Sequence, residues 1–179
     1  MREVRIPQDR VAVLIGAKGV TKRMLQKRSG VRFSVDAEGQ VLIDDETRSP
    51  DPLMVLKTAD VIKAVGRGFS PERALRLLED DEYLEVFDLK DYCNDRQLNR
   101  VRGRLIGAQG KTRRIIEDLT GVYMNVHGNT VSLIGNSVSL PIARHAVEML
   151  LNGSEHSSVY GYLEGQRPRL RIMELGFDI

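Results

Sequence analysis

Leu105-Ile106-Gly107-Ala108-Gln109-Gly110-Lys111-Thr112-Arg113-Arg114 is an aliphatic pair, two glycines bracketing two small or polar residues, and then a basic run of helix-forming composition. The same phrase stands 91 residues earlier as Leu14-Ile15-Gly16-Ala17-Lys18-Gly19-Val20-Thr21-Lys22-Arg23. Gly30-Val31 and Gly121-Val122 correspond at the same offset. Loop, following helix and glycine cap therefore repeat together, the mark of an internal duplication.

The flanks of each copy read alike. Arg2 to Ile6 alternates as a short strand ended by Pro7, and Asp9 to Ile15 reads as a helix stopped by Gly16. A second helix spans Val20 to Ser29. Val31 to Val35 and Gln40 to Asp44 are strands joined by the turn Asp36-Ala37-Glu38-Gly39, and Leu53 to Val65 is a longer amphipathic helix. Ser70 and Pro71 open one more helix through Leu78, with the hydroxyl as cap and the proline at the first helical position. The second copy follows suit: a strand over Tyr83 to Leu89, a helix capped by Asn94 or Asp95, the loop, a helix over Lys111 to Thr120, strands over Val122 to His127 and Thr130 to Gly135, and a closing helix over Val138 to Leu151. In the tail, Arg169 to Leu175 alternates like an edge strand, and a helix after Pro168 fits the residues nearly as well.

This order predicts an α+β chain with a first domain over 1–81, including a linker helix over 70–78, a second over 82–153, and an extension over 154–179. Units of roughly 70 to 80 residues can fold alone.

Net charge is only +2, but the charges are segregated. Gly16 to Arg32 holds six basic residues and no acid, and Arg96 to Arg114 holds seven and no acid. Acids gather at Asp44-Asp45-Glu46 and Glu79-Asp80-Asp81-Glu82. A basic face attached twice to one glycine phrase points to a polyanion. A lone basic run is usually just a solvated helix face.

A tight Gly-x-x-Gly loop between two helices brings several backbone N–H groups to one concave spot. The glycines allow close approach, and the second helix adds unpaired donors and partial positive charge. Lys18, Lys22, Lys111, Arg113 and Arg114 add whole charges, and Leu14, Ile15, Leu105 and Ile106 offer an apolar floor for bases. The combination describes a groove for single-stranded nucleic acid. Gly110-Lys111-Thr112 also matches the end of a P-loop, but the first glycine of that motif would fall at Leu105, and Val20 replaces the lysine in the first copy. The strand that precedes a P-loop is here an arginine-rich helix, which argues against nucleotide hydrolysis.

Taken with these loops, the sequence resembles the type I KH domain, in which each unit is β-α-α-β-β-α with a three-stranded antiparallel sheet packed against three helices. Its Gly-x-x-Gly loop clamps about four nucleotides of a single strand. Ile62 to Leu75, Lys111 to Glu117 with Leu119-Thr120-Gly121, and Glu148 to Gly153 with Val159-Tyr160 further resemble the tandem-KH ribosome-assembly proteins of the Krr/Pno type, the compact archaeal members above all. The resemblance implies a non-enzymatic protein binding small-subunit ribosomal RNA near its 3′ end during maturation, with the alpha subunit of translation initiation factor two as a further partner. Carried onto this chain, the RNA-binding residues are Gly16, Ala17, Lys18, Gly19, Lys22, Arg23, Arg104, Ile106, Gly107, Ala108, Gln109, Gly110, Lys111, Arg113 and Arg114. The alternative is a KH-fold interaction scaffold that works through the acidic linker and the helix over 53–65.

Other chemistries find little support. Neighbouring Asp44, Asp45 and Glu46 point different ways on a strand end and suit a solvated turn better than a metal site. His127, His145 and His156 have no nucleophile or carboxylate arranged around them. Cys93 is the sole cysteine, read as a reduced structural thiol. No apolar run approaches the roughly 18–20 residues of a bilayer span, and Met1 to Ile6 lacks the apolar region of a signal peptide. A cytoplasmic monomer without cofactor or metal is the expectation.

Overall fold

The computed structural model describes residues 1–45 and 51–176. They form two compact units, divided between Glu82 and Tyr83. Glu46 and the loop through Pro50 lie outside the described residues.

In the first unit the order is β1 (Arg2–Arg5), α1 (Gln8–Ile15), the glycine loop, α2 (Val20–Ser29), β2 (Phe33–Val35), β3 (Gln40–Ile43) and α3 (Pro52–Gly66). A short α4 (Pro71–Ala74) follows, tightening into a 3₁₀ turn over Leu75–Leu78. The sheet is antiparallel with order β1-β3-β2, and Val41 on the central strand pairs with both Val4 and Val35. Alternation dictates the packing: Val4, Phe33, Val41 and Ile43 are buried, as are Leu14, Leu25, Ile62 and Val65 of the helices. Ser70 accepts from the Arg73 N–H at 3.3 Å, so the expected cap and the adjoining proline are both in place. The acidic stretch closes the unit through an Arg76–Glu82 ion pair at 3.0 Å and a Lys57 Nζ bond to the Glu79 carbonyl at 2.8 Å.

The second unit has β4 (Tyr83–Asp88), a 3₁₀ turn over Leu89–Asp91, α5 (Leu98–Ile106), the second glycine loop, α6 (Lys111–Thr120), β5 (Tyr123–His127), β6 (Thr130–Gly135), α7 (Ser139–Leu151) and α8 (His156–Glu174). Its strand order, β4-β6-β5, repeats that of the first sheet. Each unit thus presents the β-α-α-β-β-α order and the three-stranded antiparallel sheet expected of the sequence.

Three local expectations need correction. Asn94 does cap, but one turn ahead of α5: its Oδ1 accepts from the Gln97 N–H at 3.1 Å while Gln97 Oε1 accepts from the Asn94 N–H at 3.2 Å. This reciprocal box satisfies two donors before the helix proper begins. The α-helix after Pro71 ends at Ala74 rather than Leu78. The tail is neither a strand nor a helix confined to residues after Pro168. α8 runs through the proline, which lies exposed, while Val159, Leu163 and Leu170 form a buried stripe within the second unit's core. Helical spacing puts these three on one face, whereas the alternation of Arg169 to Leu175 is incidental.

Candidate nucleic-acid interface

The two loops have one backbone. Gly16 and Gly107 sit at φ 75°, ψ 172° and φ 77°, ψ 170°, a conformation restricted to glycine. Lys18 and Gln109 are left-handed at φ 53° and 55°, and Gly19 and Gly110 at 75° and 76°. A side-chain residue held left-handed is strained, and the same strain is stored twice at one motif. The neighbours that hold it are also duplicated. Arg23 Nη1 donates to the Lys18 carbonyl at 2.8 Å, and Arg114 Nη2 donates to the Gln109 carbonyl at 2.9 Å. A Cβ on Gly16 would lie 2.2 Å from Thr21 Oγ1, and one on Gly107 2.3 Å from Thr112 Oγ1. The threonine after each loop therefore packs onto its first glycine. Thr112, the last residue of the P-loop-like triplet, is a buried wedge under the turn.

Neither α2 nor α6 has a side-chain cap at its start; the leading N–H of each, on Val20 and Lys111, turns back to the Ala17 and Ala108 carbonyls, and the helix end sets partial positive charge beside the loop. Ala17, Lys18, Ala108, Gln109, Lys111 and Arg114 are exposed. Helix starts and cations thus share one surface, suited to a phosphate. Lys22 holds its ammonium 6.0 Å from the centre of the Phe33 ring.

Not every expected residue is placed to take part. Leu14 and Leu105 are wholly buried, so the apolar floor reduces to Ile15 and Ile106, which are half-buried. Arg104 turns away: its guanidinium donates to the Leu150 carbonyl at 3.2 Å and to that of Ser154, while its own carbonyl meets His156 Nε2 at 3.0 Å. Arg113 is paired with Glu117 at 2.6 Å. Arg104 ties α5 to the end of α7, and Arg113 pairs within α6.

Two further residues acquire a specific place only in the structure. Tyr160 Oη lies 2.9 Å from Thr112 Oγ1, tying α8 to the back of the second loop. Arg102 lies on α5 one turn before Ile106, and its buried Nε has no hydrogen-bond partner. The internal offset was the available signal for Arg102, since the first copy has Val11 at the matching position.

The remaining candidates stay structural. His127, His145 and His156 do not converge; the His145 ring packs edge-on against Tyr162 at 4.7 Å. Cys93 Sγ donates to the Leu89 carbonyl at 3.3 Å. Among the described residues no group of three or more His, Cys, Asp or Glu could hold a metal ion, and no helix is long and apolar enough to cross a membrane.

Comparison with known proteins agrees with this geometry. Residues 3–80 match the profile described as the Krr1 KH1 domain, and residues 83–168 match the eukaryotic-type KH domain, KH-domain type I. A KH domain-containing protein of Methanocaldococcus jannaschii is 46% identical over 94% of this chain and 74% of its own length. The pre-rRNA-processing protein PNO1 of Eremothecium gossypii is 33% identical over 79% of this chain and 54% of its own. Among solved structures, Dim2p from Pyrococcus horikoshii OT3 in the a/eIF2alpha-aDim2p-rRNA complex superposes with a TM-score of 0.89 at 49% identity, covering 94% of each chain. With both glycine loops intact and both halves matched, the chain belongs to the family of tandem type I KH-domain proteins that includes PNO1 and the archaeal Dim2 proteins.

Proposed function

We propose that this chain is a non-enzymatic, single-stranded RNA-binding assembly factor that engages small-subunit ribosomal RNA near its 3′ end through both glycine loops. The observation that carries the reading is the duplicated strained loop, Lys18 and Gln109 each left-handed and each tied by an arginine five residues on. Around it the exposed Lys111 and Arg114 supply charge, and the start of α6 adds the partial positive charge of its helix end. The solved relative bound to rRNA, and the relatives that process pre-rRNA, support ribosomal RNA as the ligand. Two tethered units hold one strand at high effective concentration, enough to engage about eight nucleotides. The working residues are Gly16, Ala17, Lys18, Gly19, Lys22 and Arg23 in the first unit, and Ile106, Gly107, Ala108, Gln109, Gly110, Lys111 and Arg114 in the second.

The test places aspartate in the loop. A108D/Q109D sets two carboxylates where the phosphate would lie, on exposed positions that leave the core untouched. It should remove most affinity for a 3′-terminal rRNA oligonucleotide in an anisotropy titration, with circular dichroism unchanged. Retained affinity would reject the second loop as the main site, and A17D/K18D measures the share of the first. Replacing Lys111 with Ala should also flatten the dependence of log K on log salt by about 0.7 for the lost phosphate contact.

A protein partner is compatible with this reading, because the solved complex contains the alpha subunit of the initiation factor as well as rRNA. We propose that subunit as a second partner. Capture of it that survives nuclease treatment and the A108D/Q109D change would show a surface separate from the loop.

A further inference from the structure

The second unit carries an unpartnered arginine beside its loop. Arg102 and Ile106 are four residues apart on α5 and share one flank of that helix. Arg104 leaves from another flank, toward the end of α7. α5 lies against β5, the outer strand of its sheet, which also touches α6. Helix flank, loop and strand edge thus bound one groove. On that flank, Arg102 Nε is buried without a hydrogen-bond partner. A buried N–H left so weighs against the folded state unless an occupant supplies the acceptor. In the first unit the same position, five residues before the first loop glycine, is Val11, half-buried and apolar. The two grooves therefore share one way of holding phosphate and differ in what they offer a base.

We propose that Arg102 is the base-reading residue of the second unit, selecting a base whose edge carries two neighbouring acceptors: cytosine through O2 and N3, or guanine through O6 and N7. A guanidinium presents a rigid fork of parallel N–H donors and accepts nothing. Adenine sets a donor beside its acceptor on either edge, and uracil sets an N–H between its carbonyls, so neither satisfies the fork. Lys111 and Arg114 are exposed as phosphate contacts should be, whereas Arg102, like Ile106 one turn on, is half-buried, as a group that meets a base should be. Phosphate contacts position a strand, and contacts to base edges specify it.

This proposal rests on the RNA-binding reading, and one experiment separates the two. The full-length protein is used to select from a pool of random ten-nucleotide RNAs, and the enriched sequence and its single-base variants are then titrated. The expected result is one position restricted to cytosine or guanine, with adenine or uracil there weakening binding about tenfold or more. In R102V, which installs the residue of the first unit, and in R102K, which keeps the charge without the fork, that restriction disappears. Binding to RNAs with adenine or uracil at that position stays within about twofold, since the loop contacts remain. A restriction that persists in both folded variants overturns the proposal. So does equal weakening toward all four bases, which would make Arg102 a phosphate contact. Failure of the unaltered protein to enrich or bind any RNA rejects the RNA-binding function itself. Should R102V not fold, R102K alone decides.

Discussion

Tyr160 Oη and Thr112 Oγ1 lie 2.9 Å apart, so the C-terminal helix reaches the underside of the second glycine loop. Thr112 is buried and packs onto Gly107. Tyr160→Phe removes the bond and leaves the threonine hydroxyl without this partner. The expected cost is about 1 kcal/mol, or a fall in Tm of about 2–4 °C for a chain of this size. Thermal unfolding of Y160F checks it, and an unchanged midpoint would mean the contact contributes nothing.

Gly103 and Gly107, one helical turn apart in sequence, should respond to alanine in opposite ways. Gly107 has φ 77°, and an added Cβ would lie 2.3 Å from Thr112 Oγ1 and 2.6 Å from its backbone nitrogen. Gly103 is exposed inside α5, with nothing within 4 Å of an added Cβ. G107A should destabilise by about 2 kcal/mol or more, because a strained backbone adds to the clash. G103A should stabilise by up to about 1 kcal/mol through helix propensity. Urea denaturation of both variants makes the comparison, and equal effects would contradict the loop geometry.

Asp60 supplies a pH dependence. It is half-buried on α3, and burial raises its carboxyl above the ordinary value of 3.8, opposed by the charges of Lys63 and Arg2. The folded state therefore holds this proton more tightly than the unfolded chain. Stability from this group falls as pH rises from its unfolded value through its raised folded value, and the penalty is complete at neutral pH. Asp60→Asn should raise the melting temperature at pH 7, and the gain should shrink as pH falls toward about 4. A gain of equal size at both pH values would assign the effect to something other than ionisation.

Much of this protein is written in local pattern. The repeated Gly-x-x-Gly phrase, the caps at Gly30 and Gly121, and the strand alternation of Val4, Val41 and Met124 depend on residues a few positions apart, so sequence alone determines the order of elements. Charge segregation is likewise legible along the chain. What only the tertiary structure decides is the fate of individual side chains and of the tail. Leu105 leaves the groove for the core, and Arg104 and Arg113 go to internal partners. Arg102 keeps a buried, unpartnered Nε that looks like any other arginine in a basic run. Arg169 to Leu175 alternates like a strand, yet α8 is helical because Val159, Leu163 and Leu170 find an apolar surface that the neighbouring helices provide. Arg113 pairs four residues along its own helix, but the fates of Leu105, Arg104 and the tail turn on partners distant in sequence: hydrogen bonding across 46 to 50 residues, as from Arg104 to Leu150 and Ser154, overrides local propensity.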